Sequence, residues 1–148
     1  MKIRVNESPK IEEIEVVINC RTKNEHVRDI ERSITYLNKV IIGKLNDRSY
    51  TLKPNRIYYF DTVENKVFAY TKDRVYEVNM KLYQLEEILE NTPLIRISKN
   101  TILNIRKIRT FKAAINGRME AELLNGEMII ISRKYVPVIK QILGGEKQ

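Results

Sequence analysis

The 148 residues are about the length of one domain with a short appendage, and a hydrophobic fraction of 43% excludes a disordered tail. The single Cys20 excludes an intrachain disulfide, the single His26 excludes a zinc site built mainly from Cys and His, and no apolar run reaches the roughly 20 residues of a membrane span. The 27 Lys and Arg residues outnumber the 19 Asp and Glu residues, and the resulting net charge of +8 favours a polyanionic partner, nucleic acid foremost. We therefore expect a basic globular protein of the cytoplasm.

Residues 1–40 predict a short ββα appendage. Lys2–Glu7 and Ile11–Cys20 are rich in β-branched residues and are separated by a turn at Ser8-Pro9. A helix is predicted over Glu25–Val40, with Asn24 as its N-cap. The apolar face of this helix consists of Val27, Ile30, Ile34, Leu37 and Ile41. Two interpretations stay open: the helix packs on its own two strands, or it dimerises and thereby buries a core that is very small on its own.

Residues 41–148 predict a second, mainly β domain. The predicted strands are Val40–Leu45, Arg48–Leu52, Arg56–Val63, Val67–Thr71, Val75–Asn79, Leu94–Ser98, Thr101–Asn104, Ile108–Ile115, Met119–Leu124 and Glu127–Ser132. Helices are predicted at Lys81–Glu90 and Tyr135–Leu143, the latter ended by Gly144-Gly145. Asn116-Gly117 and Asn125-Gly126 predict hairpin turns, because both positions tolerate positive φ. The fold class expected is mainly β with short helices (α+β), with small antiparallel sheets.

The positive charge is concentrated in this second domain. Residues 41–148 have a net charge of +7, and the stretch from Arg96 to Lys112 holds six basic residues and no acid. These residues fall in predicted strands and loops, whereas a helix-turn-helix needs two adjacent helices. No nucleophile–base pair, cofactor motif or glycine-rich phosphate loop is recognisable, so the sequence predicts neither an enzyme nor a bound cofactor. The loops Arg96–Thr101 and Ser132–Tyr135 present groups that bond to base edges or phosphates, although ordinary solvated loops have the same composition.

The nonapeptide Arg96–Asn104 (RISKNTILN) is similar to the signature of the LytTR family of DNA-binding domains. Further similar segments are Ile57–Asp61 (IYYFD), Asn65–Thr71 (NKVFAYT), Leu124-Asn125-Gly126 and Ile131–Tyr135 (ISRKY). The motifs occur in the family's order, and the resemblance covers about residues 41–144. It departs from the family at Ser98, where histidine is usual, and at Asn100-Thr101, where Ser-Tyr is usual, so the family's base preference at this loop is not transferred.

The resemblance implies a regulator that binds double-stranded DNA through loops, which enter successive major grooves. The residues that it implies for DNA binding are Asn65, Lys66, Arg96, Ser98, Lys99, Asn100, Arg133, Lys134 and Tyr135. Within this set we expect Arg133 and Lys99 to contact base edges, and Asn100 and Lys134 to contact phosphates.

The resemblance also implies partners. Members of the family often bend DNA, bind paired direct repeats with two subunits and carry a phosphoacceptor receiver domain, and some are held inactive by a membrane protein. The 40 residues before the second domain are shorter than a receiver domain, so we expect a different signal input and a homodimer formed through this appendage. The alternative function is a basic β-domain that binds RNA, acidic proteins or anionic membranes without sequence specificity.

Overall fold

The computed structural model describes residues 1–144, which form two antiparallel sheets and three short helices. The seven-stranded sheet has the order β2-β1-β5-β4-β3-β7-β6, and the three-stranded sheet has the order β10-β9-β8. The strands are β1 Ile41–Leu45, β2 Arg48–Leu52, β3 Tyr59–Val63, β4 Lys66–Tyr70, β5 Val75–Val78, β6 Leu94–Arg96, β7 Thr101–Asn104, β8 Ile108–Ala113, β9 Met119–Leu123 and β10 Met128–Ile131. The helices are α1 Glu25–Leu37, α2 Leu82–Ile88 and α3 Val136–Ile142. The expected fold class is confirmed.

The alternating side chains of the large sheet enter two separate cores. Phe60 and Ile102 lie in a core shared with α2, whereas the neighbouring Leu103 lies in a core shared with the small sheet and α3. Ile102 and Leu103 are both fully buried, so β7 is covered on its two faces. The strand that follows the Ser98–Asn100 loop is therefore held between two packed layers.

Helix α1 docks on the second domain through its C-terminal turns. Its start is as predicted, with the Asn24 side chain accepting a hydrogen bond from the backbone N–H of Val27 at 3.0 Å. Near its other end the Tyr36 side chain is buried, and its hydroxyl donates to the carbonyl of Pro54 at 3.0 Å. The same hydroxyl accepts a 2.6 Å hydrogen bond from Nδ2 of the fully buried Asn104, which also donates to the carbonyl of Ile57 at 2.9 Å.

The two strands predicted in the appendage are wrong for the single chain. Residues 1–24 contain a turn at Pro9-Lys10 and no strand, and every one of these residues is exposed. A strand forms only when its N–H and C=O groups find a partner, and residues 2–20 pair with no strand among the described residues. The helix that follows ends at Leu37 rather than at Val40, and its predicted apolar face is only half-buried at Val27, Ile30 and Ile34.

Two turn predictions differ in outcome. Asn116 and Gly117 have φ values of 60° and 76°, as a two-residue hairpin turn requires, so that prediction is confirmed. At the second Asn-Gly pair only Gly126 has positive φ (92°), because the Asn125 side chain instead accepts a hydrogen bond from the backbone N–H of Glu127 at 3.0 Å.

The remaining differences are at element ends. A 3-10 turn at Pro54–Arg56 takes the first residue of the strand predicted over Arg56–Val63, and α3 ends at Ile142 with Gly144 following at φ 91°. Gly145 and the predicted domain end at residue 148 lie outside the described residues. None of the described helices has the length and apolar character needed to cross a lipid bilayer.

Candidate nucleic-acid interface

The three loops singled out by the sequence lie together at one end of the two sheets. The backbone N–H of Thr62 donates to the carbonyl of Asn100 at 2.9 Å, which fixes the β6–β7 loop beside the β3–β4 hairpin. The backbone N–H of Ser132 donates to the carbonyl of Ile97 at 2.9 Å, which fixes the β10–α3 turn on the other side of the same loop. Backbone bonds of this kind place the loops independently of their exposed side chains.

Arg96 lies behind the β6–β7 loop rather than at its tip. Its guanidinium donates to the carbonyl of Ser98 at 2.8 Å and to that of Lys99 at 2.5 Å, and it forms an ion pair with Glu86 of α2 at 2.5 Å. Only 19% of this side chain is exposed. Arg96 therefore joins α2 to the backbone of the β6–β7 loop, because its guanidinium N–H groups are already hydrogen-bonded within the protein.

The tip of the β6–β7 loop presents two polar side chains to solvent. Lys99 and Asn100 are exposed, whereas Ser98 is half-buried and its hydroxyl accepts a 3.3 Å hydrogen bond from the backbone N–H of Asn100. On the β3 side, Thr101 Oγ1 donates to Asp61 Oδ1 at 3.0 Å. Ser98 and Thr101 thus shape the loop, and Lys99 and Asn100 are the groups that a ligand can reach.

The β10–α3 turn presents a second basic pair. Arg133–Tyr135 form a 3-10 turn that leads directly into α3, with Arg133 and Lys134 exposed. Tyr135 is half-buried, and the ammonium group of Lys134 lies 5.4 Å from the centroid of its ring. Tyr135 therefore packs under the turn while the two cations point to solvent.

The β3–β4 hairpin contributes a polar turn of mixed charge. Glu64 and Asn65 have φ values of 52° and 66°, and Glu64, Asn65 and Lys66 are all exposed. The acid at the turn partly offsets the charge of Lys66, so the electrostatic attraction of this loop for phosphate is weaker than that of the other two loops.

A fourth loop, the β8–β9 turn, was not singled out by the sequence as part of the site. Gly117 lies directly against Arg133: a Cβ atom added at Gly117 would come within 2.7 Å of Arg133 Cδ. Its neighbour Arg118 is exposed. The Asn116-Gly117 pair was the available signal, because it predicted a turn at this place, but only the pairing of Met119 with Ile131 brings that turn to the end of β10.

Two members of the basic stretch lie outside the loop cluster. Arg106 donates to the Ser33 hydroxyl of α1 and lies 5.9 Å from the ring centroid of Tyr36. Lys107 lies over the ring of Tyr58 at 5.1 Å, and burial lowers the pKa of its ammonium group. Arg106 therefore stabilises the contact with α1. Fewer cations of the Arg96–Lys112 stretch belong to the loop cluster than the net charge of the stretch suggests.

A tyrosine pair stabilises the contact between the two sheets near their opposite end. The Tyr59 and Tyr70 rings stack at 4.4 Å, and the Tyr59 hydroxyl donates to Glu127 Oε2 at 2.8 Å. Burial, together with the hydrogen bond to the Glu127 carboxylate, raises the pKa of Tyr59 well above its ordinary value. Burial also raises the pKa of Tyr70. The stacking covers one face of each ring and both side chains are half-buried, so neither ring is an exposed platform of the kind on which bases stack.

Comparison with protein families gives a match over the second domain. The model of the family described as the LytTr DNA-binding domain matches residues 47–144. The fold is similar to the LytTr DNA-binding domain of a protein described as a methyl-accepting/DNA response regulator from Bacillus cereus, with a TM-score of 0.67 at 18% identity over 72% of this chain and 98% of that one.

Two curated relatives extend the comparison. A protein of Staphylococcus aureus strain MSSA476, named as an uncharacterized HTH-type transcriptional regulator, is 26% identical over 145 residues, which are 97% of this chain and 98% of the relative. The sensory transduction protein LytT of Enterococcus faecalis is 31% identical over 98 residues, which are 66% of this chain but 40% of that protein. Despite the first relative's name, no two α-helices follow one another along residues 1–144, so the described part of this chain holds no helix-turn-helix.

Proposed function

The chain belongs to the LytTR family of DNA-binding domains, and on this premise we propose that it is a transcriptional regulator that reads a specific double-stranded DNA sequence by inserting its inter-strand loops into successive major grooves. Its DNA-binding character follows from the family, and of the relatives above one is named a transcriptional regulator and the other a sensory transduction protein. Sequence reading through loops is the further step. The proposed role is regulatory rather than enzymatic and belongs to the cytoplasm, where the DNA is.

One observation carries this proposal: backbone hydrogen bonds hold three loops side by side, and their exposed tips are basic or amidic. Lys99 and Asn100 stand at the central tip, with Arg133 and Lys134 on one side and Asn65 and Lys66 on the other. Fixed loops with exposed donors can reach base edges without a recognition helix, because the loop backbones that carry the donors are already in place before DNA arrives.

The proposal gives the nine candidate residues different tasks. Arg133 and Lys99 contact base edges, as the resemblance implies, and both are exposed on their loops. Asn100, Lys134, Asn65 and Lys66 contact phosphates and fix the register on the duplex. Arg96 and Ser98 give the central loop its shape, and Tyr135 supports the β10–α3 turn.

Arg118 is added to this set as a fourth contact. It is exposed and follows Gly117, at which an added Cβ atom would come within 2.7 Å of Arg133 Cδ. In that place we expect it to bind a phosphate next to the base pair that Arg133 reads.

Two copies of the chain on paired direct repeats complete the proposal. The half-buried apolar face of α1 and the exposed residues 1–24 support a homodimer formed through residues 1–40. The dimer places two loop clusters on DNA, which is the arrangement that paired repeats require. The membrane-protein inhibitor implied by the resemblance stays a prediction.

The test is selection of bound duplexes from a random pool at about 150 mM salt, where binding to phosphates alone is weakened. We expect one enriched motif, repeated at a spacing of one or two helical turns. Enrichment of no motif, with binding that disappears as salt rises, would leave a basic domain for RNA, acidic proteins or anionic membranes.

A matched pair of arginine variants tests the reading residue. Arg133→Ala is expected to weaken binding to the selected site by about 1–3 kcal/mol and to remove the preference at one base pair. Arg74→Ala is the control, because Arg74 is an equally exposed arginine in the β4–β5 loop at the opposite end of the sheet. Equal weakening by Arg133→Ala on every sequence would show that Arg133 holds phosphate only.

A further inference from the structure

Residues 1–24 expose more apolar surface than any other part of the described chain. Eight large apolar side chains of this segment are exposed: Met1, Ile3, Val5, Ile11, Ile14, Val16, Val17 and Ile18. Within the described structure, the backbone groups of residues 12–23 form no hydrogen bond to other backbone groups. Contiguous exposed apolar surface with unpaired backbone marks a segment that binds something else.

The side chains of residues 13–20 alternate as those of a half-buried strand do. Ile14, Val16 and Ile18 would share one face, and Glu13 and Glu15 the opposite face. A strand of this pattern needs a sheet edge on which its apolar face continues an existing core.

Strand β2 offers such an edge. It is the terminal strand of the large sheet, and no described strand pairs with its outer side. On its core-facing side lie Leu52, which is buried, and Tyr50, which is half-buried and makes an edge-to-face contact with Tyr76 at 5.3 Å between ring centroids. An added strand would cover Tyr50 with its own apolar residues and extend this core by one strand.

Charge favours the same edge. Residues 11–20 carry three acids and no basic residue, and the exposed Lys53 directly follows β2, where the acidic face of an added strand would lie. Lys44 lies one strand further in, on β1, opposite Glu77 of β5. The other long edge strand, β8, offers less: Lys112 pairs with Glu120 at 3.3 Å, and Arg109 donates to the carbonyl of Leu124 at 2.9 Å. Strand β8 also leads into the turn of Gly117, beside the loop cluster.

We propose that residues 12–20 add as a β-strand to the β2 edge of a second copy of this chain, and that the two copies make this contact reciprocally. The inference rests on the homodimer proposed above and identifies the surface that forms it. Pairing with a second copy is favoured over pairing with the sheet of the same chain. Helix α1 is anchored to that sheet by its C-terminal turns, where Tyr36 bonds to Pro54, and its 13 residues place the start of the helix about 18 Å along the axis from this anchor. The segment that precedes the helix therefore begins away from its own sheet.

The proposed contact leaves the DNA-binding loops free. In the sheet order, β2 is separated from β3 by three strands, which corresponds to about 19 Å at the usual strand spacing. Each copy can therefore hold its partner at one edge of the sheet and present its loops at the other.

The single cysteine makes a direct test practical. Cys20 is exposed, so a nitroxide label can be attached there on the full chain without other substitutions. The labelled chain is mixed with an equal amount of an unlabelled, ¹⁵N-enriched Cys20→Ser chain, and only broadening between copies is then visible in the NMR spectrum. We expect selective broadening of the amides of Arg48–Leu52.

Each other result overturns the inference. Broadening confined to residues 12–20 would mean that the two segments pair with each other, and broadening at β8 would identify that edge instead. A dimer in sedimentation without broadening at β2 would show that another surface, such as the α1 face, joins the copies. A monomer in sedimentation would overturn both this contact and the homodimer proposed above. It would not decide whether single copies read a DNA sequence, which the duplex selection tests separately.

Charge exchange gives a second, independent readout. Glu13→Lys with Glu15→Lys, and separately Lys53→Glu, are each expected to raise the dimer dissociation constant about fivefold. Combining the three substitutions is expected to recover most of the loss. All three residues are exposed in the single chain, so we expect folding to be retained; failure of the combined variant to recover the dimer overturns the pairing of these two segments.

Discussion

Asn104 joins helix α1 to strand β7, which follows the β6–β7 loop, and its replacement tests this junction. The side chain is fully buried and makes three hydrogen bonds: to the hydroxyl of Tyr36 at 2.6 Å, to the carbonyl of Ile57 at 2.9 Å and from the backbone N–H of Arg106 at 3.0 Å. Asn104→Ala leaves the buried Ile57 carbonyl without this donor, at a cost of about 1–3 kcal/mol. Loss of the hydrogen bond to Tyr36 adds about 1 kcal/mol to this cost. Loss of the bond from Arg106 adds little, because the backbone N–H of Arg106 can donate to water instead.

We therefore expect Asn104→Ala to lower the free energy of unfolding by about 3 kcal/mol, which corresponds to a fall in Tm of roughly 6–12 °C for a chain of this size. Urea and thermal unfolding followed by circular dichroism measure it, with the exposed Asn79→Ala as the matched control. A double-mutant cycle with Tyr36→Phe is expected to give a coupling of about 1 kcal/mol. A loss below about 1 kcal/mol for Asn104→Ala would refute the reasoning, because the buried carbonyl would then have found another donor.

Three further predictions concern the loops and the tyrosine pair. Gly117→Ala is expected to weaken DNA binding about tenfold, because the new methyl group displaces the Arg133 side chain. Gly126 also has a positive φ, but an added Cβ atom there would have no atom within 4 Å, so Gly126→Ala is expected to cost stability only. Equal DNA binding by the two variants would contradict the contact between Gly117 and Arg133. Arg96→Gln removes the charge and the hydrogen bonds to two loop carbonyls, so DNA affinity should fall about tenfold with an unchanged salt dependence. A salt slope reduced by about one would instead show that Arg96 contacts a phosphate. Because folding raises the pKa of Tyr59, the contribution of its phenol to stability is complete below pH 10 and is lost as the pH rises above 10. The free energy of unfolding should therefore fall between pH 9 and pH 11 by up to about 1 kcal/mol less in Tyr59→Phe than in the parent chain. Identical pH profiles of the two proteins would contradict this assignment.

The strands of the second domain could be predicted because each one carries its own signal. In β3 and β7 adjacent residues such as Ile102 and Leu103 enter opposite cores, and the resulting runs of apolar residues are visible in the sequence. Residues 2–20 carry the same kind of signal, yet the single chain forms no strand there. The alternation of apolar and polar residues predicts which side chains of a strand would be buried, but it does not predict which other strand or sheet buries them.

The site could be predicted to the level of loops but not of individual side chains. Arg96 and Arg133 are both arginines beside predicted loops, and nothing local distinguishes them. Their difference arises from Glu86, ten residues away on α2, which together with two loop carbonyls occupies the Arg96 guanidinium. The place of Arg118 likewise depends on the pairing of β9 with β10, a contact between strands that sequence spacing does not specify.

The bonds that fix the loop cluster have a consequence for how this chain can change. The Thr62–Asn100 and Ser132–Ile97 bonds are made by backbone atoms, so any residue other than proline preserves the Thr62 and Ser132 donors, and the acceptors are indifferent to side chain. Lys99, Asn100 and Arg133 can therefore be exchanged with little effect on folding, and under the proposed function exchange of Lys99 or Arg133 changes the DNA sequence preferred, whereas exchange of Asn100 changes affinity. A library randomised at these three positions should consist largely of folded proteins that differ in the DNA they select.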